Sequence, residues 1–106
     1  MNRFLLLASY FLFFSLSPLS NLYASGVSSK DYENGEELYD LGCTICHGKN
    51  MINLGTSSFD LRVFPKDGKS RFIESVTNGT GYMPAMGDVF DPQEIEQLWI
   101  YVSGHQ

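Results

Sequence analysis

Four side chains in this sequence combine into a chemistry that none of them performs alone. Cys43-Thr44-Ile45-Cys46-His47 places two thiols across two intervening residues, with an imidazole directly after the second thiol. Thiols at that spacing reach the two vinyl groups along one edge of a porphyrin, and the adjoining imidazole then lies beneath the ring, where it can bind iron. Met83 offers a soft thioether from the loop Gly79-Thr80-Gly81-Tyr82-Met83-Pro84-Ala85-Met86-Gly87. Loops of this kind run over the surface, so a methionine there is poorly explained as core filler. A His/Met pair raises the potential of haem iron. Cys43, Cys46, His47 and Met83 are therefore the candidate cofactor-binding residues for one covalently bound haem c. His47 and Met83 are the candidate iron ligands, and no residue is assigned a catalytic role.

Other chemistries use parts of the same pattern. A C-x-x-C pair also serves thioredoxin-type redox sites and zinc sites. A redox dithiol sits between a strand and a helix, and the sequence has no convincing strand. A structural zinc needs four ligands, and the one further histidine, His105, follows the end of the last helical pattern. A disulfide across two intervening residues is strained and closes almost no loop. For the second iron ligand, Met86 is the alternative to Met83. Met83 is preferred because Pro84 fixes the chain after it, while Gly79 and Gly81 give the backbone room to approach a ring. Met51 lies too close to His47 to reach the opposite face. His105 would make a bis-histidine iron.

The elements that must position these groups are helical. Gly35, Tyr39, Gly42, Cys43 and Cys46 share one face of a helix predicted over Asp31–Cys46, whose start is crowded with acidic residues as the helix dipole favours. Its two inward glycines cost helix propensity but admit another helix or a flat ring. Gly48–Pro65 has no sustained period and reads as a loop. Ser70–Asn78 reads as a short helix ended by Asn78-Gly79-Thr80-Gly81. The last helix has Asp91 as N-cap, Pro92 at the first position and Glu94 completing a capping box. Ile95, Leu98, Trp99 and Val102 then form a buried stripe, and Gly104 ends it. Three or four helices joined by loops this long need an organiser in the middle.

Residues 1–24 read as a secretory signal peptide, with Arg3 before the apolar run Phe4–Leu16 and small residues at Ala24, Ser25 and Gly26. The run is shorter than the roughly 20 apolar residues a membrane span needs. The domain is then 25–106, expected in the periplasm, monomeric and without a membrane span once the leader is cut. The leader takes one of the chain's 7 basic residues and none of its 12 acidic ones. A balance so acidic argues against nucleic acid or an anionic membrane as the main partner.

On these residues the chain resembles the class I c-type cytochromes. Gly35-x-x-Leu38-Tyr39-x-x-x-Cys43-x-x-Cys46-His47-Gly48 is similar to the family's first helix and haem site. Met83-Pro84-Ala85 is similar to its axial-methionine loop, and Glu94-Ile95-x-x-Leu98-x-x-Tyr101-Val102 to its last helix. The resemblance implies an all-α fold around one haem, first and last helices crossing near Gly35 and Tyr101, His47 proximal and Met83 distal. One feature departs from the family. No proline lies between His47 and Phe64, where many members have one whose carbonyl accepts the proximal histidine's N–H. A backbone carbonyl near Ser57–Phe59 can take that role. A narrower resemblance rests on Phe59-Asp60-Leu61-Arg62, on Arg71-Phe72-x-x-x-Val76-x-Asn78-Gly79 and on Met83-Pro84. These are similar to small cytochromes and cytochrome domains that serve quinoprotein (pyrroloquinoline quinone) alcohol dehydrogenases.

The reading is a periplasmic electron carrier and not an enzyme, taking electrons from a periplasmic dehydrogenase to a terminal oxidase. The alternatives are a haem subunit of a larger oxidoreductase complex, and a gas-binding or peroxidase-like haem protein with an open distal site. Arg62 is a candidate partner for a haem propionate, or else pairs with an aspartate. Lys66, Lys69 and Arg71 form a basic patch that either steers docking or is simply solvated. Trp99 and Tyr101 read as core more readily than as haem contacts.

Overall fold

The computed structural model of the chain describes residues 27–53, 55 and 57–105. The expected leader, residues 1–24, lies outside them.

α1 spans Ser29–Gly42. Ser28 caps it, its Oγ accepting the Asp31 N–H at 3.1 Å. The helix predicted to run unbroken to Cys46 instead breaks at Cys43, where φ is −118° and ψ −24°, and a single further turn, α2, covers Thr44–His47. The break rotates the last turn away from the face shared by Gly35 and Tyr39. Cys43 is left half-buried and Cys46 exposed, although one buried face was expected for both. Gly48 follows at φ +80°, and a short 3-10 turn over Lys49–Met51 carries Met51 into full burial. A second 3-10 turn, Leu61–Val63, is capped by Asp60. α3 spans Lys69–Asn78 and α4 spans Pro92–Gly104. Among the described residues there is no strand, only an isolated bridge between Thr80 and Met83. No helix among them is long and apolar enough to cross a membrane.

The capping box expected at Asp91 is present. The Glu94 N–H donates to Asp91 Oδ1 and the Asp91 N–H to Glu94 Oε2, both at 2.9 Å. From there α4 buries Ile95, Leu98, Trp99, Tyr101 and Val102. It crosses α1 at Gly35, where a methyl group would come within 2.1 Å of the Gln97 carbonyl oxygen and 2.9 Å of Tyr101 Cβ. Only hydrogen fits there, which explains a glycine inside a helix despite its cost of about 1 kcal/mol against alanine. Gln97 is buried at the same crossing and donates to Asp31 Oδ1 at 3.1 Å, so its polar end is satisfied across the interface. α3 packs on the other side of α4 through Phe72, whose ring lies 5.3 Å from that of Trp99. Trp99 and Tyr101 are thus core residues, as expected.

Candidate functional site

The space enclosed by α1, α3, α4 and the loops between them is a slot in two lobes of about 290 and 370 Å³. Both lobes are lined by Cys43, His47, Phe59, Val76, Thr80 and Met83. Residues 36 to 40 positions apart in sequence, the Cys43–His47 turn and Met83, therefore face one space. Cys46 lines the larger lobe only and lies at its exposed rim. Of the four candidates, all border the slot.

Each group is positioned by a local cause. The His47 Nδ1–H donates to the Phe59 carbonyl oxygen at 3.0 Å. A carbonyl can only accept, so Nδ1 carries the proton and Nε2 keeps its lone pair for a metal. The carbonyl expected near Ser57–Phe59, in place of the missing proline, is thus Phe59's. Asn53 Nδ2 bonds Ser58 O at 2.6 Å and the Tyr39 hydroxyl bonds Gly48 O at 2.8 Å, closing the loop on either side of the imidazole. The Cys43 thiol is pushed up to about 11 by burial first and by neighbouring Cys46 second, so it stays protonated. The two cysteines are not joined in a disulfide.

Met83 sits on a clamped loop. Its N–H and carbonyl exchange hydrogen bonds with Thr80 at 2.9 and 3.1 Å, leaving Gly81 and Tyr82 at the tip of a tight turn. Gly81 takes φ +55° there, and Gly79 takes φ +78° at the end of α3. A methyl group on Gly79 would lie 2.7 Å from Met83 O and 2.8 Å from Ala85 N. Gly79 therefore makes room for the loop's own backbone, while Gly81, open on its outer side, is needed for its positive φ. Beyond Pro84, the Met86 and Gly87 N–H groups return to Val76 O at 2.8 Å and Thr77 O at 3.1 Å. The loop is closed on itself before Met83 and stitched to α3 after it.

The alternatives separate spatially. Met86 lines the larger lobe alone, with its methyl near Gly42 and Phe90. Met51 is wholly buried in the core, and His105 pairs with the Tyr32 hydroxyl at 3.3 Å, away from the slot. Arg62 forks onto Asp60, with Nε and Nη2 at 2.9 and 2.8 Å. The basic patch divides: Lys69 pairs with Glu96, and Arg71 lines the smaller lobe. Sequence reading missed Phe59, Leu61, Phe64 and Arg71 as slot residues. The signal for Phe59, Leu61 and Phe64 was present as large apolar side chains in a segment without period, which a surface loop does not need, whereas Arg71 left none.

The donor set and the shape fit haem. A slot this apolar, with two cysteine sulfurs, an imidazole nitrogen and a thioether on its walls, suits a flat ring bearing iron. Among the described residues no three His, Cys, Asp or Glu side chains gather to hold a bare ion.

The family model described as "Cytochrome C oxidase, cbb3-type, subunit III" matches residues 30–102. A cytochrome c6 of Gloeothece citriformis is 32% identical over 84 residues, covering 76% of this chain and 76% of that protein. Among solved structures, a quinohemoprotein alcohol dehydrogenase of Pseudomonas putida matches with TM-score 0.64 and 27% identity, covering 76% of this chain but 12% of the dehydrogenase chain. Cytochrome c6 of the diatom Phaeodactylum tricornutum matches with TM-score 0.52 and 26% identity over 70% of this chain and 92% of that one. The helical fold, the slot and these likenesses agree, and the chain belongs to the class I c-type cytochromes, electron-transfer proteins whose cofactor is a covalently attached haem c.

Proposed function

We propose that this cytochrome is a periplasmic single-electron carrier. Cys43 and Cys46 hold the haem by thioether bonds, His47 Nε2 is the proximal ligand and the Met83 sulfur the distal one. The observation that carries this is the meeting of His47 and Met83 on one slot, with the imidazole already oriented by Phe59 O. The haem supplies an iron that gains and loses one electron. The chain's own residues would hold it, with His47 and Met83 supplying one ligand each, and line its surroundings with carbon. A six-coordinate iron leaves no site for oxygen or peroxide, which favours transfer over activation.

The donor we infer is a quinoprotein alcohol dehydrogenase, supported by the likeness to the cytochrome part of the Pseudomonas putida enzyme. A terminal oxidase as acceptor accords with the description of the family model. The same dehydrogenase likeness supports the reading as a haem subunit of a larger complex, in which the chain stays bound to one partner. Residues 1–24 serve as the leader and 25–106 as the cytochrome domain.

Two experiments test this. Mass spectrometry of the periplasmic fraction should find a chain beginning at or near Ser25 with one haem attached; a chain retaining Met1 would contradict the leader. Purified protein mixed with a quinoprotein alcohol dehydrogenase and alcohol should be reduced, and should separate from the enzyme on gel filtration. A stable complex would favour the subunit reading. No reduction, in a sample that dithionite does reduce, would contradict the donor.

A further inference from the structure

The slot is lined by carbon, yet haem brings two carboxylates that need a partner. Arg62, the arginine marked for that role in the sequence, is occupied: its fork meets both oxygens of Asp60 and it does not line the slot. Arg71 is placed differently. It stands in the first turn of α3 and lines the smaller lobe. Its Cζ lies 4.5 Å from the centre of the Phe64 ring. Phe64 is itself fixed, buried edge-on between Phe72 at 5.8 Å and Trp99 at 6.1 Å. The guanidinium is thus seated on a buried, packed aromatic face, an arrangement that orients it. Among the described residues it has no carboxylate partner.

We propose that Arg71, held on Phe64, is the slot's propionate anchor, and that its charge raises the reduction potential of the iron. The proposal rests on the haem reading above. A guanidinium fork matches a carboxylate with two parallel hydrogen bonds. Ferric haem carries one more positive charge than ferrous haem, so a fixed cation nearby favours the reduced state. For one charge on the wall of the slot, at an effective dielectric between protein and water, that is worth about threefold to tenfold in the ferrous-to-ferric ratio.

The test is a redox titration of the holoprotein and three variants. Only samples whose haem stays attached after unfolding are compared, so a failure of haem attachment is seen separately from a failure of this proposal. Arg71→Gln should lower the ferrous-to-ferric ratio, read at the parent midpoint, by about threefold to tenfold. Arg71→Lys, which keeps the charge, should restore most of it. Arg62→Gln should leave it at the parent value. An unchanged midpoint in Arg71→Gln overturns the proposal, as does a drop in Arg62→Gln alone. Should Arg71→Gln fail to take up haem, nitrogen-15 spectra of the parent give the answer. A slowly exchanging Arg71 Nε–H that moves between the ferrous and ferric forms supports the anchor, and its absence overturns it.

Discussion

At the scale of single residues, the two proposed iron ligands are positioned in different ways. His47 is oriented by one hydrogen bond to a backbone carbonyl, whereas Met83 is oriented by the backbone bonds on either side of it. Met83→Ala should therefore open the distal position, giving carbon monoxide binding and a lower potential. Met86→Ala should keep the iron spectrum and cost about 1–3 kcal/mol of stability through lost packing near Phe90, measured by denaturant titration. Tyr101 is a second informative residue. Its hydroxyl is buried and has no hydrogen-bond partner among the described residues, and burial pushes its pKa up to about 12. Tyr101→Phe should stabilise the fold by about 1 kcal/mol, because it removes an unpaired buried polar atom. The parent should also lose stability between about pH 10, where the unfolded tyrosine ionises, and about 12, where the folded one does. Tyr101→Phe should flatten that loss, and thermal melts across this range would show it. That Cys43, Cys46, His47 and Met83 belong to one site was legible in the sequence, because their chemistry lies in residue type and spacing, and all four border the slot. Arg71 was not, because what singles it out is the ring beneath it, and Phe64 sits seven positions away in a loop without period.

At the scale of elements, the α1–α4 crossing holds the fold and the stitched loop serves the site. Gly35→Ala would gain about 1 kcal/mol of helix propensity. The obstacle is a backbone carbonyl 2.1 Å away, which cannot swing aside as a side chain would. The helices must separate, and a net loss of about 2 kcal/mol is expected in the holoprotein's denaturant midpoint. Asp91→Ala removes the α4 cap and should cost about 1 kcal/mol in the same measurement. Both features could be read beforehand, since a capping box is local and an inward glycine in a helix asks for close approach. The break at Cys43 could not. Cys43 and Cys46 fit one helical face on paper, and only the tertiary packing around the slot decides that the helix restarts at Thr44. The loop over 79–87 was legible as a methionine carrier, but its stitching to α3 depends on backbone bonds that leave no mark in residue type.

At the scale of the whole molecule, a net charge of −5 sits on a fold whose centre is designed for a cofactor. Asp31 is held below the usual carboxylate range by its bonds from Gln97 and then Ser28, and Asp60 by its bonds from Arg62. Carboxylates with depressed folded pKa values contribute stability above their unfolded pKa and lose it as pH falls through the folded one. The holoprotein should therefore weaken below about pH 4, and Asp31→Asn should blunt that weakening in acid melts. The basic group of Lys66, Lys69 and Arg71, read as either a steering patch or simply solvated, does not survive as a unit, since Lys69 is engaged by Glu96 and Arg71 lines the slot. The central claim, that His47 and Met83 close both sides of one haem iron, is tested most directly by an optical spectrum of the periplasmically produced protein, oxidised and reduced, with a carbon monoxide challenge. The expected result is a covalently retained haem, a weak far-red sulfur-to-iron band in the oxidised form, and little carbon monoxide binding. Ready carbon monoxide binding without that band would contradict it, and would mark an open distal site suited to a gas-binding or peroxidase-like protein instead.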